Sequence, residues 1–214
     1  MLGLSTGLVY PSPLTGILHT VTASRIGWIQ GTSDGTFSTA RETGDSGEVE
    51  DSVTTGSLQV QYYLTGGGRG NNHRFQRVYL YFDVSGISGV TGGKLYLHSV
   101  GGAAEDGIIA LRSNAFGGDG GSALHVNDFY NSMSYSAAFT SEIVLNGLND
   151  FEGTGLNSYA AGIINTTDHF IVVLVEHTHD YGDSAGTSVG GVESQVTIRT
   201  TGGIDVFPYL VLEA

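Results

Sequence analysis

The sequence predicts an all-β fold, a jelly-roll β-sandwich of about eight to ten strands with one or two short helices. Three observations carry that expectation. The stretch Arg77-Val78-Tyr79-Leu80-Tyr81-Phe82-Asp83-Val84-Ser85 alternates without a break. Val78, Leu80, Phe82 and Val84 share one face, and Arg77, Tyr79, Tyr81 and Asp83 share the other; this period of two belongs to a strand. The 34 glycines are scattered as turn punctuation and not in a Gly-X-Y register,. Finally, extended patterns follow one another with almost no helical spacing between them, as in a sandwich and unlike an α/β fold.

Met1 to Leu18 reads as an N-terminal arm, with small and apolar residues, a Pro-Ser-Pro bend and no regular period. Its Leu2, Leu4, Leu8 and Val9 favour docking on a partner, because a solvated tail is normally polar. Residues 19–214 form the sandwich domain. Thr20 to Ile29, with Trp28, predicts a first strand pair or a bulged strand, and the acidic segment Thr32 to Gly56 a long surface excursion,. Leu58, Val60, Tyr62 and Leu64 alternate with Gln59, Gln61 and Tyr63 in a further strand,. The Arg77–Ser85 strand is central, and Lys94 to Val100 is expected as its antiparallel neighbour.

Gly107–Arg112 and Glu142–Leu145 read as short strands, with one helical turn at Val126–Asn131. The better helix is Leu156–Ile164, where Leu156, Tyr159, Ala160 and Ile163 recur at helical spacing,. Phe170 to Val175 is apolar throughout, as in a strand covered on both sides,. Gln195–Thr200 and Pro208–Leu212 close the chain, and Pro208, lacking an N–H, belongs at the start of its strand,.

Composition excludes several roles. The net charge is −13, Lys94 is the only lysine, and the arginines are dispersed, so no basic stripe exists to track phosphates or anionic lipid. Nucleic acid and membrane are therefore not expected partners. Without cysteine there is neither a disulfide framework nor a thiolate metal site,. Met1–Thr20 has no Lys or Arg and is interrupted by Pro11 and Pro13, so it is not expected to act as a cleaved secretory signal.

The Arg77–Ser85 stretch, Gly92-Gly93-Lys94-Leu95-Tyr96-Leu97 and the closing Phe207-Pro208-Tyr209-Leu210-Val211-Leu212 resemble the DNRLRE-type jelly-roll domains. Those domains are related to carbohydrate-binding modules and are written around an R-x-x-L-x-F-D-L/V-S core. Ala123–Phe129, Ser141–Asn146, Val175–Tyr181 and the opening Met1–Leu8 are similar to structural proteins of tailed phages that carry this domain. The likeness spans about Thr20 to the C-terminus. It implies a non-enzymatic virion protein on the particle surface, foremost a capsid decoration or cement protein, oligomeric in the particle and bound to other virion proteins. The same scaffold also serves tail-fibre or receptor-binding parts and modules that recognise surface polysaccharide. Here the loop Thr200–Asp205 departs from the usual closing segment.

Candidate chemistry is sparse. Gly182-Asp183-Ser184-Ala185-Gly186 satisfies G-x-S-x-G, and Gly44-Asp45-Ser46-Gly47 imitates a serine-protease loop. Neither has the strand-and-helix context that a nucleophile needs, and no catalytic residue is expected. If the strand ran on, His177 and His179 would point to one side, with Asp180 and Asp183 behind them. Such a set could hold zinc or another divalent ion, or calcium through Asp180, Asp183 and loop carbonyls; alternatively these groups hydrogen-bond loop backbone at the strand end. A divalent cation is the one cofactor these residues suggest. Tyr79 and Tyr81, with Tyr96 on the expected neighbour, predict an aromatic stripe for a partner or a glycan, or else rings packed under a covering layer.

Overall fold

The computed structural model describes residues 16–51, 56–67, 70–102, 107–145, 151–187, 190–200 and 207–214. Its longest strand, β5 (Gly70–Asp83), grows from the alternating stretch and organises the rest. Fourteen residues give it room for three neighbours. Gln76 pairs with both Gln61 of β4 (Ser57–Gly67) and Gln30 of β2 (Arg25–Gly31), which places those strands on opposite edges. Leu80 pairs with Ile26 of β2 and with Val172 of β11 (His169–Glu176). β4 and β11 therefore succeed one another along a single edge of β5.

The expected neighbour does not pair with it. Lys94–Val100 lies in β6 (Gly92–Gly102), whose partners are β13 (Tyr209–Glu213), β10 (Phe151–Gly155) and β12 (Gly191–Arg199). β5 pairs with β4, which directly precedes it in the chain, and otherwise with β2 and β11, which are remote in sequence. β1 (Leu18–Thr22) pairs with β13, so β1, β13, β6 and β10 make one sheet. The other sheet holds β12, β4, β5, β11, β7 (Gly107–Ser113) and β8 (Met133–Ala138). β2, β3 (Gly44–Glu50) and the short β9 (Ile143–Val144) pair beside it. β6 belongs to both sheets, pairing with β13 and β10 early and with β12 from Ser99. Thirteen antiparallel strands among the described residues exceed the expected number; β3, for one, lies within the segment 32–56 expected as a surface excursion.

Burial follows the alternation, in two cores. Val78, Leu80, Phe82 and Val84 face Leu95, Leu97, Leu210 and Leu212 across the sandwich. Tyr79 and Phe75, on the reverse face, join Ile29, Leu111, Val173 and Val175 in a second core. Phe170–Val175 contributes to both, as a strand apolar at every position must,. The second core is roofed by α1 (Phe37–Glu42), β3, the 3-10 turns Phe116–Gly118 and Val126–Phe129, and a π turn at His177–Tyr181. The acidic segment is thus only partly a surface excursion, since its Ala40 is fully buried.

Two glycines of β2 let this roof sit directly on the strand. A Cβ on Gly31 would lie 2.6 Å from the Ala40 carbonyl oxygen, and one on Gly27 2.6 Å from that of Glu50. The second helix, α2 (Ser158–Ile164), starts at Asn157, whose side chain accepts the Ala160 N–H at 3.0 Å,. Its buried residues are Ala160, Ala161 and Ile164, while Tyr159 is exposed. The buried face is therefore rotated from the expected one.

Two histidines connect the fold to pH. Burial holds the pKa of His73 below its ordinary value against the opposing charge of Asp34, and burial together with Arg199 does the same for His98. The unfolded chain binds these protons more readily, so stability is full above about pH 6.5 and falls as pH drops through it toward the folded-state values. The expected result is a lower melting temperature at pH 5.5 than at pH 7.5. A His73→Gln/His98→Gln variant should show a shallower fall, and an unchanged slope would place the linkage elsewhere.

Candidate binding surfaces

Arg77, on the face that the sequence leaves as either outer surface or a second interface, is completely buried. Its Nε and one terminal nitrogen donate to the two carboxylate oxygens of Asp180 at 2.7 and 2.8 Å. That terminal nitrogen also donates to the Arg41 carbonyl and the Tyr135 hydroxyl, and the other donates to the Phe129 carbonyl. The guanidinium lies 3.9 Å over the Phe129 ring,. Burial opposes its charge, and the Asp180 carboxylate more than offsets this, keeping the Arg77 pKa above its ordinary value. Tyr135 donates to Asp180 at 2.6 Å, and burial raises its phenol well above the ordinary value. One side chain from β5 thus holds α1, the 126–129 turn, β8 and the π turn together. This is a clamp, closed to ligands.

The clamp accounts for the predicted cation ligands. β11 ends at Glu176, and the following residues wind into the π turn, so the premise of a continuing strand fails. The Asp180 carboxylate is occupied by Arg77 and Tyr135. His177 has its Nδ1 3.2 Å from Glu142 and stacks on Tyr181. His179 has its Nδ1 2.6 Å from the Ser184 carbonyl and its ring against Tyr62. Asp183, at φ +53°, accepts from Arg41 at 2.9 Å. Among the described residues no three metal-ligating side chains converge, so these four do not form the predicted site. Ser184 sits in irregular chain and Ser46 in β3.

The tyrosine stripe is also divided. Tyr79 is buried in the second core, its hydroxyl donating to the Asp128 carbonyl at 3.0 Å; burial raises its pKa above the ordinary value. It cannot touch a partner. Tyr81 is half-buried, and its hydroxyl donates to the Asp119 carbonyl at 3.1 Å. Tyr96 lies on the other sheet, stacked on Tyr209 at 4.7 Å. Leu2, Leu4, Leu8 and Val9 lie outside the described residues.

Among the described residues, three of the open surfaces bear on partners. A cleft of about 480 Å³ runs along β8, with Arg112 donating to the Tyr159 hydroxyl at 2.9 Å at its wall. At the edge strand β1, Ile17 and Leu18 are 64% and 65% exposed. The Ile17 and Ala214 backbones exchange hydrogen bonds, so these residues, assigned to the arm from sequence, are already part of the sheet.

The third is a row of carboxamides. Gln195 of β12 pairs with Gln61 of β4, Gln61 with Gln76 of β5, and Gln76 with Gln30 of β2. Directly paired residues point to the same side, so four glutamines cross four strands in one line. Arg74 and Tyr63, also paired, make the next row, beside a depression of about 400 Å³. The alternation of Gln59, Gln61 and Tyr63 was visible in the sequence, but the row exists only through three registers, two of them between strands remote in sequence. Among known proteins, no family model matches the chain and no curated protein matches it.

Proposed function

We propose that the chain is a non-enzymatic structural protein of a tailed-phage virion, a decoration or cement protein held on the capsid exterior by its N-terminal segment. The observation that carries this reading is the entry of the chain into the sandwich. Ile17 and Leu18 stand exposed on an edge strand directly after the apolar segment Met1–Thr15. A capsid subunit covering both would gain about 1.5–3 kcal/mol for each side chain fully buried, and the edge of β1 that no described strand pairs with offers it backbone groups,. The resemblance to phage virion proteins supplies the particle. Neighbouring copies and capsid subunits are the partners on this reading, and the clamp keeps the rest of the module rigid.

The test is binding to undecorated capsids by the full chain, by a chain lacking residues 1–15, and by Ile17→Ser/Leu18→Ser. The full chain should saturate the particle, and both variants should bind at least about tenfold more weakly, as a loss of 1.4 kcal/mol or more requires. Equal occupancy by all three would overturn attachment through this segment. Binding to isolated tails but not to capsids would move the protein to a tail fibre.

A further inference from the structure

We infer that the cleft along β8 is a binding site for a carboxylate, read by Arg112 together with Tyr159. This goes beyond the virion-surface reading and does not rest on it. The cleft arises from the way β7 and β8 pair. Ser113 stands opposite Met133 and Leu111 opposite Ala138, so residues 134–137 arch past Arg112 alone. A bulge of this kind re-aims side chains at a sheet edge. Along β7, Ile108 and Ala110 lie in the sandwich core, and Arg112 follows on the same side, half-buried at its rim. From α2, Tyr159 lies against Phe139 with ring centroids 5.6 Å apart, which brings its hydroxyl to the Arg112 guanidinium.

That guanidinium is under-used. Among the described residues its one hydrogen bond runs from a terminal nitrogen to the Tyr159 hydroxyl, at 2.9 Å. Arg25, Arg41 and Arg77 each lie against an aspartate, whereas Arg112 has no carboxylate. Its Nε and other terminal nitrogen remain, the same edge through which Arg77 holds both oxygens of Asp180. Two parallel N–H groups fit a carboxylate in the bidentate manner. The Tyr159 hydroxyl, having accepted from Arg112, keeps its own proton to donate. Asn114, Asn131 and Ser134 bring further donors to the lining, and no acidic residue belongs to it.

Charge and size select among anions. One guanidinium balances one negative charge, whereas a phosphate group carries up to about two, and no second cation lines the cleft. A volume of about 480 Å³ exceeds the need of a bare carboxylate and suits a small organic acid. Its apolar body would lie on the Tyr159 ring, which is 41% exposed, and beside Met133 and Ala137. A nucleic acid would meet a single arginine on a chain of net charge −13,. The carboxylate can belong to a free acid or to a glutamate of a partner protein, and its contacts with Arg112 are the same.

The experiment is a heteronuclear NMR titration of the full chain at constant ionic strength. The probes are benzoate, its neutral counterpart benzamide, inorganic phosphate, and the blocked peptide acetyl-glycyl-glutamyl-glycinamide. At least one of the two carboxylates should shift the Arg112 Nε–H and the side-chain amides of Asn114 and Asn131, saturating at roughly millimolar concentration. Benzamide should shift none of them, and phosphate should bind at least about tenfold more weakly. Arg112→Gln should abolish the response with an unchanged melting temperature. Tyr159→Phe, which keeps the ring, should weaken it about tenfold, the scale of one hydrogen bond to a charged group. Arg199→Gln, on β12, should bind as wild type. A response to benzoate alone assigns the site to a free acid, and one to the peptide alone assigns it to a protein partner; either supports the inference. No response to either carboxylate would overturn it, as would an equal response to benzamide or phosphate. So would full binding by Arg112→Gln, or loss in Arg199→Gln.

Discussion

Replacing Asp180 by alanine is expected to destabilise the fold by about 3–5 kcal/mol, the usual consequence of leaving a buried charge without its partner. Arg77 and Asp180 are 0% and 1% exposed in their side chains, so water cannot take over the lost interaction. Without Asp180, Arg77 keeps only the carbonyls of Phe129 and Arg41, the Tyr135 hydroxyl and the Phe129 ring. Arg41, whose Nε lies 3.5 Å from the same carboxylate, becomes a second cation in the gap. Arg77→Met should fall toward the lower end of that range, because Arg41 and Tyr135 still face Asp180. The double variant Arg77→Met/Asp180→Leu should recover part of the loss, since two apolar side chains pack where a charge would be stranded. Recovery stops short of wild type because the Arg41 carbonyl loses its Arg77 donor and the Phe129 carbonyl keeps only the longer bond from the Tyr79 hydroxyl,. Urea unfolding of the four proteins gives the cycle directly. An Asp180→Ala unfolding free energy within about 1 kcal/mol of wild type would show the clamp to be dispensable.

The fold was legible where one strand carries its own evidence. Val78, Leu80, Phe82 and Val84 announce a buried face by themselves, and all four are buried in the sandwich. Phe170–Val175 announces cover on both sides, and the second core provides it. Lys94–Val100 was legible as a strand but not as a partner, because alternation fixes which way a side chain points and not which strand lies beside it. The roof was harder still. Thr32–Gly56 is polar and glycine-rich, and what recruits it is the close approach permitted by Gly27 and Gly31, a contact with no local pattern.

The sites suffered from the same limit. Arg77 stands in an alternating pattern that assigns it to the face opposite the aliphatic residues, and a charged residue there reads as outer surface or an interface, not as the centre of a clamp. Its burial depends on Asp180, 103 residues away. The four predicted cation ligands follow one another along the chain, yet a turn in place of a strand sends them to four different neighbours. The glutamine row inverts this case: nothing local marks Gln30, Gln76 or Gln195, and three registers bring them together.

The turn that disperses those ligands is fixed by Glu176, and removing its carboxylate should cost about 3 kcal/mol or more, since several buried donors lose their acceptor at once. Glu176 is 1% exposed. One of its oxygens accepts the Thr178 N–H at 2.7 Å and the Ser194 hydroxyl at 3.0 Å. The other accepts the His179 N–H at 2.5 Å and the Asp180 N–H at 3.0 Å. A carboxylate suits this position because all four neighbours are donors, and an ionised acid is an acceptor on both oxygens. Glutamine has almost the same shape, but its NH₂ would meet donors on one side. Glu176→Gln is therefore expected to lose about 1.5–3 kcal/mol, the range for hydrogen bonds to a charged group, with Glu176→Ala losing more. Because the Asp180 N–H is one of the four, the loss should couple to the Arg77 clamp, and Glu176→Gln combined with Asp180→Ala should destabilise by less than the sum. Hydrogen exchange at Thr178, His179 and Asp180 separates this from general weakening: these amides should exchange faster in Glu176→Gln than those of β5 do. A glutamine variant with wild-type unfolding and unchanged exchange would mean that the turn is held by the clamp alone.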